Sequence, residues 1–157
     1  MRKPKIRRAK GSRPLPSLED KAFISVLRVA DSLLGDMEHL LKPAELSLTQ
    51  YNVLRILRGA GPTGLAAEEI IERMLIRDPD ITWLLDRLEA RGLVTHDREA
   101  ADRRVAKTRL AEEGQRILRG LDEPVAERHR QQFKYLEKRQ LRQLGRLLGQ
   151  VRGGRPV

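Results

Sequence analysis

The sequence predicts a mainly α-helical fold with one small β-hairpin, and three observations carry that prediction. Apolar residues recur at three- and four-residue steps along most of the chain. Only Phe23, Tyr51, Trp83, Phe133 and Tyr135 are aromatic, so the core has to be built from Leu, Ile, Val and Ala. The exception to the helical period is 93–110, which reads as two strands, 93–98 and 104–110, around a charged loop at 99–103. At 157 residues the chain has the length of one domain with a real core.

Residues 1–17 carry no apolar period. Arg2, Lys3, Lys5, Arg7, Arg8, Lys10 and Arg13 hold seven positive charges with no acidic residue among them, so the net charge of +10 leaves only +3 for the other 140 residues. With Pro4, Gly11, Pro14 and Pro16 interspersed, this segment is expected to be a disordered basic arm. Such an arm can neutralise phosphates or enter a minor groove; the plainer alternative is a solvated extension that aids solubility.

A helix is expected next, over 18–43. Phe23, Leu27, Ala30, Leu34, Met37 and Leu41 step by four and three, Val26, Leu33 and Leu40 widen the stripe, and Pro43 closes it. The stripe is broader than a small core needs, which fits packing against a second chain as well as an ordinary intramolecular helix. A second helix, capped by Thr49, buries Val53, Leu54, Ile56 and Leu57 and ends at 59–62. A third, 66–75, turns Ile70, Ile71 and Leu75 inward and leaves Glu68, Glu69 and Glu72 on a solvated face. The fourth takes Asp78 as N-cap and Pro79 as its first helical residue. It buries Ile81, Leu84, Leu85 and Leu88, presents Thr82, Trp83, Asp86, Arg87 and Glu89 outward, and stops at Gly92. Beyond the hairpin, Leu110, Ile117, Leu118, Leu121 and Val125 mark a fifth helix that Pro124 is expected to kink or interrupt. Leu141, Leu144, Leu148 and Val151, with Leu147 beside them, mark a sixth.

A helix with a polar outer face followed by an Arg-tipped hairpin is the layout of a winged helix, which lays the helix in a DNA major groove and the hairpin beside it. The stretches LSLTQYNVLRILRGAGP, DITWLLDRLEARGLV and DRRVAKTRLAEEG, in that order, resemble the MarR family of dimeric bacterial transcription regulators. The matching pieces are 48–57, the L-x-x-x-G-L-V of 88–94, the wing's Asp102 with Arg104, and Leu110 with Gly114. The likeness runs in register from about residue 18 to 151.

That resemblance implies a winged helix-turn-helix domain over 18–152, with a DNA-binding lobe at 44–110 and dimerisation helices at 18–43 and 111–152. It implies a homodimer on a pseudo-palindromic operator in double-stranded DNA, and a repressor released by a small aromatic or lipophilic effector. The runner-up is an architectural DNA binder without effector response, favoured by the basic arm. Arg77 and Thr82 lie near the N-terminal turn of the recognition helix, which points at base edges. Arg87, one turn on, suits a phosphate. Trp83 stands where the family usually has Arg or another polar residue; it either touches sugar or a thymine methyl, or folds back on the wing. In the wing the resemblance gives Asp102 the task of holding Arg104, so that Arg104 or Arg103 reaches the minor groove. His39 and Tyr51, with Trp83, are candidates for lining an effector site. The family's Thr after Leu110 is Ala111 here, so the fifth helix loses a side-chain cap worth about 0.5–2 kcal/mol.

Other classes find little support. With no cysteine, disulfides, zinc-thiolate sites and thiol redox sensing are excluded. His39, His96 and His129 are far apart, and no phosphate-loop, nucleophile-elbow or zinc-protease motif occurs, so no enzyme, metal or cofactor is expected. No apolar run approaches the roughly 18 residues a membrane span needs, and no apolar segment follows Arg7 and Arg8 as in a secretory signal. A cytoplasmic protein is expected.

Overall fold

The computed structural model describes residues 16–76, 78, 80–97 and 106–153. Among these residues six helices and a two-stranded hairpin follow in order: α1 (Leu18–Leu41), α2 (Leu48–Ala60), α3 (Ala67–Arg73), α4 (Ile81–Ala90), β1 (Val94–His96), β2 (Thr108–Leu110), α5 (Glu112–Gln132) and α6 (Lys138–Val151). Short 3-10 turns, Lys42–Ala44 and Gly61–Thr63, follow α1 and α2. The chain divides within α1 into two compact units, residues 1–32 and 33–157. No helix among the described residues is long and apolar enough to cross a membrane.

In the first unit α1 opens on a reciprocal cap. Ser17 Oγ accepts from the Asp20 N–H at 3.0 Å, and Asp20 Oδ2 accepts from the Ser17 N–H at 3.0 Å. Leu18, Phe23, Val26 and Leu27 are all exposed, Phe23 by 64%.

The second unit holds the core. Met37 and Leu41 end the apolar stripe of α1 and are buried, as are Val53, Leu54 and Leu57 of α2, Ile70 of α3, Ile81, Leu84, Leu85 and Leu88 of α4, and Leu118 and Val125 of α5. Tyr51 is the one aromatic residue among them.

Several helix ends differ from the sequence expectation. Ser47, not Thr49, caps α2: its Oγ accepts from the Gln50 N–H at 3.1 Å while Gln50 Oε1 accepts from the Ser47 N–H at 3.0 Å. Ser47 is still extended (φ −74°, ψ 161°), the conformation a cap requires, whereas Thr49 is already inside the first turn. Helix α3 ends at Arg73, so Met74 enters the core and Leu75 is left 73% exposed. The Leu75 N–H is held by Asn52 Oδ1 of α2 at 2.9 Å, which sets the path out of the helix. For α4 the cap is Asp80, whose Oδ1 accepts from the Trp83 N–H at 3.1 Å. Asp78 Oδ1 instead accepts from the Asp80 N–H at 2.9 Å, shaping the turn that delivers the cap. Gly92, at φ 68°, ends α4 as expected. Its N–H reaches the Glu89 carbonyl at 2.8 Å and the Leu93 N–H reaches the Leu88 carbonyl at 2.9 Å, the paired bonds of a Schellman ending.

The hairpin is antiparallel, with Val94 opposite Leu110 and His96 opposite Thr108. Leu65 joins its edge: the Leu65 N–H bonds the Thr108 carbonyl at 3.0 Å and the Thr108 N–H bonds the Leu65 carbonyl at 2.8 Å. The outer parts of both expected strands and the loop between them lie outside the described residues. Gly114 lets the first turn of α5 rest against this hairpin, since a Cβ there would overlap the Leu93 carbonyl oxygen. Ala111, the extended residue just before α5, offers no side-chain cap, as expected. Helix α5 continues through Pro124 as one helix, so of the kink or interruption expected there the interruption does not occur. Pro124 and Gly120 are both exposed, so water can serve the Gly120 carbonyl that the proline leaves without a donor. Arg58 of α2 grips Asp122 of α5 with two bonds of 3.0 and 2.8 Å.

Candidate nucleic-acid interface

The interface candidate is built on α4. Its ten residues span about 15 Å, and a helix of that size fits a major groove roughly 12 Å wide. Burial of Ile81, Leu84, Leu85 and Leu88 fixes which face points out, and Thr82, Trp83, Asp86 and Arg87 are exposed on it. Glu89 departs from the expected outer surface: it is half-buried and turned to the hairpin. One of its oxygens accepts from the His96 backbone N–H at 3.3 Å, and the other lies 3.2 Å from His96 Nδ1 without hydrogen-bond alignment. Glu89 therefore braces α4 against β1. On the far edge of the hairpin, Arg109 donates to the Pro62 carbonyl at 3.1 Å and to Asp97 at 3.4 Å. Those contacts seat the base of the hairpin on the turn after α2.

Trp83 is 57% exposed and its ring lies beneath Arg87, the guanidinium carbon 4.6 Å from the ring centroid. One helical turn separates them, the spacing at which side chains meet. The Asp80 cap fixes the backbone of Trp83 itself, so this pair stands on a well-held first turn. Thr82 adds a hydroxyl beside it.

Of the sequence-selected residues, Thr82, Trp83 and Arg87 thus come together on one face. Arg77, Asp102, Arg103 and Arg104 lie outside the described residues, as does the basic arm to residue 15. Tyr51 and His39 separate: Tyr51 is a core residue with Arg55 5.9 Å above its ring, and His39 is exposed on α1. Neither borders the cleft of about 540 Å³ that opens beside the recognition face. Trp83 and Arg87 do line it, with Lys42, Glu38, Glu45 and Asp78. The sequence reading did not single out Lys42 or Glu45, because a corner formed where α1, α2 and α4 meet leaves no periodic signal. Arg91 was missed for the same reason; it donates to backbone carbonyls 46 and 47 residues away. Among the described residues no group of three His, Cys, Asp or Glu could hold a metal ion.

Comparison with known proteins places this geometry among regulators. A family model described as the MarR family matches residues 44–105. The chain is 30% identical over 130 residues to the HTH-type transcriptional repressor IacR of Pseudomonas putida, covering 83% of this chain and 77% of that protein. It is 38% identical to a MarR transcription factor from Planctomyces limnophilus, whose crystal structure aligns with a TM-score of 0.67 over 85% of this chain and 97% of that one. It also matches CouR from Rhodococcus jostii RHA1 bound to p-coumaroyl-CoA, at 26% identity and a TM-score of 0.73 over 91% and 99% of the two chains.

Proposed function

Because the chain belongs to the MarR family of DNA-binding transcriptional regulators, we propose that it is a cytoplasmic, homodimeric repressor that reads a pseudo-palindromic operator and is released by a small aromatic or lipophilic effector. The observation that carries the reading is the exposed row Thr82, Trp83 and Arg87 on a helix whose other face is locked into the core. Lobe 44–110 then reads DNA, while 18–43 and 111–152 join the two copies. Exposed Phe23 and Leu27 on α1 and Leu147, Leu148 and Val151 on α6 supply apolar surface for that junction. In this reading Thr82 and Arg77 contact base edges, Arg87 a phosphate, and Arg104 or Arg103, steadied by Asp102, the minor groove.

Repression is supported by the likeness to IacR, which is named a repressor, and an aromatic effector by CouR, which was crystallised with p-coumaroyl-CoA. The cleft beside Trp83 is the chamber we assign to the effector, in place of His39 and Tyr51. An occupant there would touch the same Trp83 and Arg87 that face DNA.

Binding-site selection from random duplexes tests this. The expected product is an inverted repeat whose half-site centres are about 34–36 Å apart, as two symmetry-related recognition helices demand. Thr82→Ala should relax preference inside each half-site, by roughly 1–3 kcal/mol for a good base contact. Retention of random sequence without enrichment would instead favour an architectural DNA binder.

A further inference from the structure

Arg91 closes α4 and also reaches out of it. One guanidinium nitrogen donates to the Glu45 carbonyl at 2.6 Å and the other to the Ala44 carbonyl at 3.1 Å. Both acceptors belong to the turn between α1 and α2, directly after the buried Leu41. That turn is tightly determined. Glu45 sits at φ 54°, a left-handed conformation that side-chain-bearing residues seldom adopt. The Glu45 N–H bonds the Lys42 carbonyl at 2.9 Å, and the Leu46 N–H bonds the Leu41 carbonyl at 3.4 Å. The other end of the link is equally held, by the Schellman ending at Gly92 and Leu93. A planar fork can serve two adjacent carbonyls at once, which a lysine ammonium on a flexible stem cannot do with the same geometry. The cation also lies at the negative end of the α4 dipole, where it is favoured.

The consequence follows from the length of α4. A swing of about 10° about its C-terminal end would move its N-terminal end by on the order of 3 Å, close to the ~3.4 Å rise of one base step. The ends that contact bases are therefore sensitive to how the opposite end is anchored.

We propose that Arg91 is a positioning residue for operator spacing. By pinning the C-terminal end of the recognition helix to the α1–α2 turn, it fixes the pose in which α4 leaves the dimer scaffold, and so the half-site separation the protein accepts. This inference rests on the dimeric, operator-reading function proposed above.

The test begins with the best inverted repeat that the wild-type protein selects from random sequence. That duplex is lengthened and shortened by one and two base pairs at its dyad. Fluorescence anisotropy then reads the affinity of wild type, Arg91→Ala and Arg91→Lys for each member, beside thermal melting of each protein. Wild type should show a sharp optimum. Arg91→Ala should be about ten-fold weaker at the native spacing, the scale of losing charge-assisted hydrogen bonds, and nearly flat across its neighbours. Arg91→Lys, which keeps the charge and loses the fork, should flatten the profile in the same sense and carries the readout if the alanine variant does not fold. A profile of wild-type shape, whether at full or uniformly lowered affinity, overturns the proposal while leaving the function standing. A wild-type protein that selects no inverted repeat overturns both.

Discussion

Trp83 and Arg87 sit one turn apart with ring and guanidinium stacked, and each changes what the other can do. A stacked guanidinium keeps its edge donors free while losing much of its rotational freedom, so less entropy is lost when it meets a phosphate or a base edge. Trp83→Leu should therefore weaken operator binding partly through Arg87. In a double-mutant cycle with Arg87→Ala, the combined loss should fall short of the sum by about 0.5–1 kcal/mol, read from anisotropy titrations; strict additivity would mean that the two act alone. Trp83 is the only tryptophan in the chain, so its fluorescence reports on this spot alone and should change when the operator is added. The outward row of α4 was legible in the sequence because burial of four residues at helical spacing leaves only one exposed face. Glu89 and Arg91 were not legible. Their orientation is decided by the His96 strand and the Glu45 turn, partners that no local pattern names.

Caps show where pattern reading stops being able to choose. Asp78, Pro79 and Asp80 offer two acidic caps around one proline, and the structure uses the second. Asp80→Ala should cost about 1 kcal/mol in urea unfolding and weaken DNA binding through the frayed first turn, while Asp78→Ala, which removes only a turn contact, should cost less. Equal losses would contradict the assignment of Asp80. The bond from Arg58 to Asp122, between α2 and α5, gives a pH signature. The hydrogen bond from Arg58 holds the Asp122 carboxyl below its ordinary value of 3.8. A carboxyl depressed in the folded state contributes stability above its unfolded pKa and loses it as pH falls through the folded value. Asp122→Asn should thus destabilise by no more than about 1 kcal/mol at pH 7, since Asp122 is exposed and Arg58 partly so, and the deficit should shrink as pH drops below about 4. Urea midpoints at pH 7 and pH 3 check both the size and the sign. Helix α5 carries the opposite lesson about Pro124, whose cost is local and is met by solvent because that face is exposed.

For the whole molecule the decisive feature is the uneven placement of charge. Seven of the ten net positive charges fall before residue 18, in a segment without acidic residues, so the rest of the chain is only weakly basic. A DNA-binding lobe with few excess cations gains affinity if an appended arm brings more of them to the phosphates. In the proposed function Thr82 and its neighbours on α4 supply discrimination, and these two contributions should respond differently to salt. Phosphate contacts release counterions, and each one lost should lower the magnitude of the slope of log affinity against log salt by about 0.9. Deleting residues 1–15 should therefore flatten that slope by several such steps for a dimer carrying two arms. The sequence selected from random duplexes should stay nearly the same, because backbone contacts carry no base information. Titrations of the full chain and the shortened one against a single operator, across a four-fold range of salt, give the answer directly. An unchanged slope would reduce the arm to a solvated extension and leave the affinity to α4 and the wing. A flattened slope with altered base preference would place arm residues in the minor groove, where arginine reads groove width as well as charge.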